Sequence, residues 1–276
     1  GSDELILTQE SLMLKTHLSS RLIAAGTLAV GLLIASHGFQ PGFAAESPYS
    51  DQEKANLGSV IKEYLLKNPE VIRDAMAELE RRDQMAAAEQ QKKTLASVSD
   101  TLIKSERGIV LGNPKGDVTL VEFFDYNCGY CKRSMADLQM LMKDDPKLRI
   151  VLRDFPVLGT ESVEASMVAV AVANQLKGGD YLAYHSKLME SKGRIGKERA
   201  VQVAKELGVD MAKLDQDISS KQTRLALEET MRIADDLKIQ GTPAFVIGDE
   251  VVFGAVGRDP LAKAIESVRT CGKAVC

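Results

Sequence analysis

The sequence predicts an α/β layered domain that carries a helical insertion and is preceded by an N-terminal helical segment. Three features predict it. Residues 118–124 form a β-rich apolar run that hands over to a helix opening at Asn127. Residues from about 160 to 237, between one strand at 148–155 and another at 244–247, read as helix in several segments. Residues 50–81 carry apolar side chains three, four and seven apart, the spacing of one helix face.

The N-terminal segment opens on a capping box. Ser50 stands at the N-cap and Glu53 three residues on, so a helix should run to about Lys67. Asn68-Pro69 restarts it, with Asn as N-cap and Pro in the first turn. The stripe is Leu57, Ile61, Leu65, Ile72, Met76 and Leu79, widened by Tyr64. Beyond Arg81 it fades into Gln, Lys and Ala, so a polar helix or flexible connector follows to about Arg107. Two short helices cannot bury such a stripe by themselves. Docking on the same chain and association with other copies are the two ways to cover it, and the polar connector favours association.

From Asp117 the period changes. Strand 118–124 is followed by a helix to about Lys143 and a strand at 148–155. Residues 163–174 are small and apolar, the mark of a buried helix. A helix at 197–207 stops at Gly208, and Asp210 caps the next. Strands at 244–247 and 250–253 flank Gly248-Asp249, a two-residue hairpin turn. Asp259-Pro260 opens a last helix to about Thr270. The divisions read as 1–45, 46–106 and 107–276, with the helical insertion at about 158–238.

A leader is expected in 1–45. Lys15, His17 and Arg21 make a cationic start, and residues 22–34 are apolar, interrupted only by Gly and Thr. Small residues follow at Gly42, Ala44 and Ala45, placing a cleavage site near Ala44-Ala45. The apolar run falls short of the roughly 20 residues a membrane span needs. Gly1-Ser2 reads as a cloning scar and Met13 as a native start. Export would place the chain in an oxidising compartment, where disulfides persist. The 276 residues carry a formal charge of only −4, which argues against a nucleic-acid partner. No phosphate loop or hydrolase triad stands out, and no cofactor is expected.

The four cysteines are Cys128, Cys131, Cys271 and Cys276. Cys128-Gly129-Tyr130-Cys131 lies where a strand hands over to a helix, and the helix dipole favours a thiolate there. Spacing i,i+3 puts both sulfurs on one face. Cys128, at the helix start, should be accessible and attack; Cys131, one turn in, should be sheltered and resolve the mixed disulfide. A static disulfide or half a zinc site would share the spacing. Zinc needs a second pair, and Cys271 and Cys276 are too far apart for one; His185 reads as a surface or packing histidine, so no metal site is expected. Glu122, six positions before Cys128, could accept the Cys131 proton if burial raises its pKa; the alternation with Val121 and Phe123 equally allows a solvated residue. Thr242-Pro243 precedes the strand at 244, where Pro is tolerated, in either isomer, and its edge could pair with a substrate backbone. Gly272 permits a bend that would close a Cys271–Cys276 disulfide, as a structural clip or in a regulatory role; an intermolecular pairing is the other reading.

Residues 123–132, Phe-Phe-Asp-Tyr-Asn-Cys-Gly-Tyr-Cys-Lys, together with Gly241-Thr242-Pro243-Ala244-Phe245, resemble the DsbA-like family of periplasmic thiol-disulfide oxidoreductases. The resemblance covers about 107–270 and implies a thioredoxin fold with an inserted helical domain. It also implies a cis Pro243 facing the cysteines and a family acid at Glu122. The N-terminal segment resembles that of the ScsC (suppressor of copper sensitivity) proteins, some of which are trimeric disulfide isomerases. Partners implied are cysteine-containing exported proteins, a membrane redox partner of DsbB or DsbD/ScsB type, and further copies of the chain. Strongly oxidising members of the family carry Pro-His between the cysteines and tend to have Val before the cis proline. Gly129-Tyr130 and Thr242 therefore lean toward isomerase or reductase, with a dithiol oxidase as the alternative. Lys132 and Arg133 are expected to compensate in part for the missing histidine. Readings of another class are a Cu(I)-binding protein using the soft thiolates, a holdase, and a structural subunit assembled by the N-terminal helices.

Overall fold

A computed structural model describes residues 48–276. The expected leader, its cleavage site and Met13 lie outside the described residues. The chain divides into two units between Tyr64 and Leu65.

Helix α1 spans Asp51–Lys67 and begins as its capping box requires. The Ser50 N–H donates to Glu53 Oε2 at 2.8 Å, and the Glu53 N–H donates to Ser50 Oγ at 3.3 Å. Its apolar residues Leu57, Ile61 and Tyr64 are exposed.

In the second unit, α2 (Glu70–Lys104) has Pro69 rather than Asn68 at its N-cap, with no side-chain cap bond. Ile72, Met76 and Leu79 are exposed. The helix does not give way to a flexible connector. It runs unbroken to Lys104, and its last turns bury Leu95 and Leu102. Next come β1 (Ile109–Gly112), β2 (Val118–Phe124), α3 (Gly129–Asp144) and β3 (Leu148–Asp154). The insertion is five helices: α4 (Thr160–Val172), α5 (Gly178–Met189), α6 (Lys197–Glu206), α7 (Met211–Ile218) and α8 (Lys221–Asp236). Strands β4 (Ala244–Ile247) and β5 (Glu250–Phe253) and helix α9 (Arg258–Cys271) complete the unit.

The sheet order is β1-β3-β2-β4-β5. Only β2 and β3 are parallel; the other pairs are antiparallel. This is the DsbA-like thioredoxin fold with its helical insertion. The central strand β2 is apolar on both faces because both are covered. Leu120 and Phe124 meet Leu138 and Leu141 of α3, Leu261 and Ile265 of α9, and the insertion. Val121 and Phe123 meet Leu95 and Leu102 of α2 with Ile233 and Leu237. Strand alternation puts Glu122 on the same face as Leu120 and Phe124, the face under α3.

The root of α2 is fastened by a buried ion pair. Arg153 donates to Glu229 Oε1 at 2.8 Å and, through Nη2, to the Thr101 and Leu102 carbonyls at 2.6 and 2.8 Å. Those carbonyls belong to the last turn of the helix, and that of Thr101 also accepts the N–H of the C-cap residue Ser105 at 3.4 Å. Arg107 bonds the other Glu229 oxygen.

Candidate active site

The two central cysteines owe their places to a turn that Asp125 organises. Strand β2 ends at Phe124, and the buried Asp125 carboxylate then collects four hydrogen bonds. They come from the N–H groups of Asn127 (2.7 Å), Val157 (2.9 Å) and Leu158 (3.0 Å) and from Ser162 Oγ (2.8 Å). The Asn127 side chain donates to the Ile195 carbonyl at 2.9 Å and accepts from the Ile195 N–H at 2.8 Å. The cysteine loop is thus stitched to the insertion on two sides. This turn delays the helix: α3 starts at Gly129, not Asn127, and Cys128 is its N-cap. The Cys131 N–H donates to Cys128 Sγ at 3.4 Å.

Cys128 is less accessible than its position at a helix start suggests. It is 6% exposed, against 1% for Cys131. The two thiols are free and differ sharply in acidity. Hydrogen bonds from the Cys131 thiol, the Thr242 side chain and the Cys131 and Tyr130 N–H groups lower the Cys128 pKa from 9.0 to about 5, against the opposing effect of burial. Burial raises that of Cys131, helped by Cys128 and by the charge of Glu122. Lys132 is not the source of the Cys128 acidity, because its Nζ donates to the Ser191 carbonyl at 2.8 Å. Arg133 lies over the exposed Tyr130 ring, 4.4 Å from its centroid. Glu122 is 1% exposed, not solvated, and its Oε1 has no hydrogen-bond partner. Burial, with the nearby Cys128, pushes its pKa up to about 8.

Strand pairing brings in the remaining expected residues. Ala244 of β4 sits opposite Phe123 of β2, so the two residues before β4 lie beside the cysteine loop. The Thr242–Pro243 bond is cis, and the Cys128 thiol donates to the Thr242 carbonyl at 3.2 Å. Cys128, Cys131, Glu122, Thr242 and Pro243 therefore converge on one place. Cys271 and Cys276 do not join them; they form a disulfide with each other across the tail. His185 is fully buried, packed edge-on to Phe124, with Nδ1 3.0 Å from the Tyr126 hydroxyl. Among the described residues no group of three or more His, Cys, Asp or Glu is placed to hold a metal ion. Asp125 and Asn127 were not singled out from sequence. The available signal was an Asp two residues before Asn127, the signature of a side-chain-to-backbone turn.

A dithiol of unequal acidity at a helix N-terminus, facing a cis proline across a mixed sheet with inserted helices, defines a thiol-disulfide oxidoreductase on a thioredoxin fold. Residues 119–266 match the model of the DSBA-like thioredoxin domain, and the chain belongs to that family. Residues 53–86 match the Copper resistance protein ScsC N-terminal domain. A thioredoxin-like oxidoreductase from Silicibacter pomeroyi is 39% identical, with 62% of this chain and 98% of that one covered at a TM-score of 0.59. Proteus mirabilis ScsC in a transitional conformation is 28% identical, with 80% and 96% covered at the same score of 0.59. Among curated relatives, the thiol:disulfide interchange protein DsbA of Bordetella pertussis is 26% identical over 51% of this chain and 68% of that one. The chain also matches Na(+)/H(+) antiporter NhaA 1 of Salinispora arenicola, 23% identical over 60% of this chain, and spans 25% of that relative's length. No helix among the described residues is long and apolar enough to cross a membrane.

Proposed function

We propose that the chain catalyses disulfide exchange on exported proteins in the periplasm, with Cys128 attacking and Cys131 resolving. The observation that carries this reading is the split in acidity between the two thiols, Cys128 at about 5 and Cys131 raised. At neutral pH Cys128 is the thiolate. Its Sγ attacks one sulfur of a substrate disulfide, forming a mixed disulfide and expelling the other substrate sulfur as a thiolate. Cys131 then loses its proton to Glu122 and attacks Cys128 Sγ. That step closes the Cys128–Cys131 disulfide and releases the second substrate thiolate. The reverse sequence donates the disulfide. Glu122, with a pKa near 8, is matched to take and return a proton at neutral pH. The backbone edge at Thr242 and Pro243 receives the substrate chain beside the sulfurs.

Isomerase or reductase activity is favoured over simple oxidation. The dipeptide Gly129-Tyr130 places no cation next to the thiolate, and Arg133 is held on Tyr130 instead. Residues 46–106 serve assembly of several copies, a trimer by likeness to ScsC. The exposed Leu57, Ile61, Ile72, Met76 and Leu79 support that role. Assembly would let one site hold a misfolded substrate while another attacks, at a high effective concentration. A membrane redox partner of DsbB or DsbD/ScsB type resets the dithiol. The test is recovery of activity by a scrambled-disulfide enzyme, run beside oxidation of a reduced one, on the chain from residue 46. Unscrambling that exceeds oxidation supports the isomerase; oxidation alone refutes it.

A further inference from the structure

A cleft of about 980 Å³ opens at the root of α2, away from the cysteine loop. It is bounded by residues 104–110, by Arg149 on β3, by the end of α4 and start of α5, and by the first turns of α8. Arg149 pairs with Thr119 near the start of β2 and β3, whereas the cysteine loop follows the end of β2. The cleft therefore has no part in the chemistry described above.

Its lining is divided by polarity. The floor, its buried lining, is apolar apart from Thr223: Ile109, Ala173 and Ala226 are buried, and the half-buried Val170 and Leu176 stand beside them. The mouth is cationic, with Lys104, Arg107, Arg149 and Lys177 against a single lining carboxylate, Glu106. Lys104 is paired with Asp100, and Arg107 shares the Glu229 carboxylate with Arg153. Arg149 and Lys177 have no carboxylate partner among the described residues; the one hydrogen bond of the Arg149 guanidinium is a long one to Thr119 Oγ1 at 3.4 Å. Arg149 is half-buried, and both its burial and the charge of Arg153 lower its pKa. A half-buried guanidinium beside another cation, without a counter-ion, is relieved by an anion, and its planar fork fits a carboxylate or a phosphate.

We infer that this cleft binds an anionic amphiphile, a molecule with a carboxylate or phosphate head on a hydrocarbon body. The head sits between Arg149 and Lys177 and the body lies on the floor of Val170, Ala173 and Leu176. An inorganic anion would satisfy the mouth and leave the floor bare. A neutral amphiphile would cover the floor and leave both cations unpaired.

The experiment is calorimetric titration of the chain from residue 46 with decanoate, decyl phosphate, decanol and inorganic pyrophosphate, each below its aggregation concentration. Saturable one-to-one binding of decanoate or decyl phosphate is expected, at least tenfold tighter than decanol or pyrophosphate. Whichever of the two binds tighter identifies the head group as a fatty-acid or a phosphate type. Arg149→Gln with Lys177→Gln should weaken that binding at least tenfold, Arg149→Lys alone should retain part of it, and disulfide exchange through Cys128 should be unchanged in all three. Each variant is checked first for an unaltered unfolding midpoint; should the double variant fail, Lys177→Gln alone, at an exposed position, carries the comparison. Absence of saturable binding overturns the inference. So does binding indifferent to the double variant, or pyrophosphate or decanol binding as tightly as the anionic amphiphiles.

Discussion

Glu122 raises the cost of ionising Cys131: the carboxyl is buried under α3, and after burial of the thiol itself and its hydrogen bond with Cys128, the Glu122 charge is one of the causes that raise the Cys131 pKa. A carboxylate near a thiol that must be deprotonated opposes the charge pair but offers the proton a destination. The prediction follows that Glu122→Gln slows release of a mixed disulfide by about tenfold or more while initial attack by Cys128 changes little. Stopped-flow exchange with a fluorescent disulfide peptide separates the two phases. Equal effects on both would return Glu122 to a structural role.

The same carboxyl makes stability depend on pH. Its pKa is raised from 4.5 to about 8 on folding, so the folded state holds the proton more tightly. Its contribution is fully present below pH 4.5 and is lost as pH rises through about 8. Glu122→Gln should therefore gain most on the parent chain above pH 8, with the advantage shrinking as pH falls from about 8 toward 4.5 and gone below 4.5. Urea unfolding of the oxidised protein, in which neither thiol titrates and burial alone raises the Glu122 pKa, should show a difference of the same sign.

Cys128 shifts the opposite way. Its pKa falls from 9.0 to about 5 on folding, so it stabilises the reduced protein above pH 9 and that stabilisation is lost as pH falls toward 5. Alkylation of Cys128 should accordingly show a midpoint near pH 5, and Cys128→Ala should abolish exchange. The value lies between the roughly 3.5 of a strong oxidase and the roughly 7 of thioredoxin. A reduction potential between about −120 and −270 mV is expected. A titration midpoint at or above about 8.5 would contradict the assignment.

Arg153 should be costly to replace. Its side chain is fully buried against Glu229, and its removal leaves Glu229 to Arg107 alone and takes the guanidinium donor from the Thr101 and Leu102 carbonyls. Arg153→Met should destabilise the fold by roughly 1–3 kcal/mol, the cost of buried acceptors left without their donor. It should also loosen the end of α2, whose carbonyls it binds, and hydrogen exchange at 98–104 reads that loosening.

Oligomer formation through 46–106 is tested by light scattering, with the truncation placed to spare the core. A chain starting at Arg107 would strip Leu95 and Leu102 from Val121, Phe123 and Val151 and confound assembly with folding. A chain starting at Ala86 keeps both leucines and removes the exposed stripe. The chain from residue 46 should be oligomeric at micromolar concentration and the shorter one monomeric, redox-active and poor at unscrambling. A monomer in both cases removes the main support for an isomerase.

Strands β2, β4 and β5 were legible because each is an apolar run bounded by turn residues, and the hairpin turn at Gly248-Asp249 fixed the last two. Strand β1 was not. Four residues are too few to show alternation, and its identity depends on antiparallel pairing with β3. The cysteine pair, Glu122 and Pro243 could be picked out by position, whereas the cis isomer at Pro243 was implied only by the family resemblance. What position could not give is where charges point: Lys132 turns to Ser191 because the insertion loop supplies a free carbonyl there. The role of Asp125 was hidden likewise, since Val157, Leu158 and Ser162 reach it only once the insertion has folded.

The sheet ends on both sides in strands of four residues, β1 and β5. On the function proposed above, clients are incompletely folded chains that present extended segments, and a long open edge would recruit them into its own ladder. Short borders offer too few free amides and carbonyls for a visitor to add itself as a sixth strand. On that reading a client is held by the Cys128 sulfur and the short backbone edge at Thr242 and Pro243 and leaves when the mixed disulfide is exchanged, so turnover is protected by how little of the sheet is left unfinished.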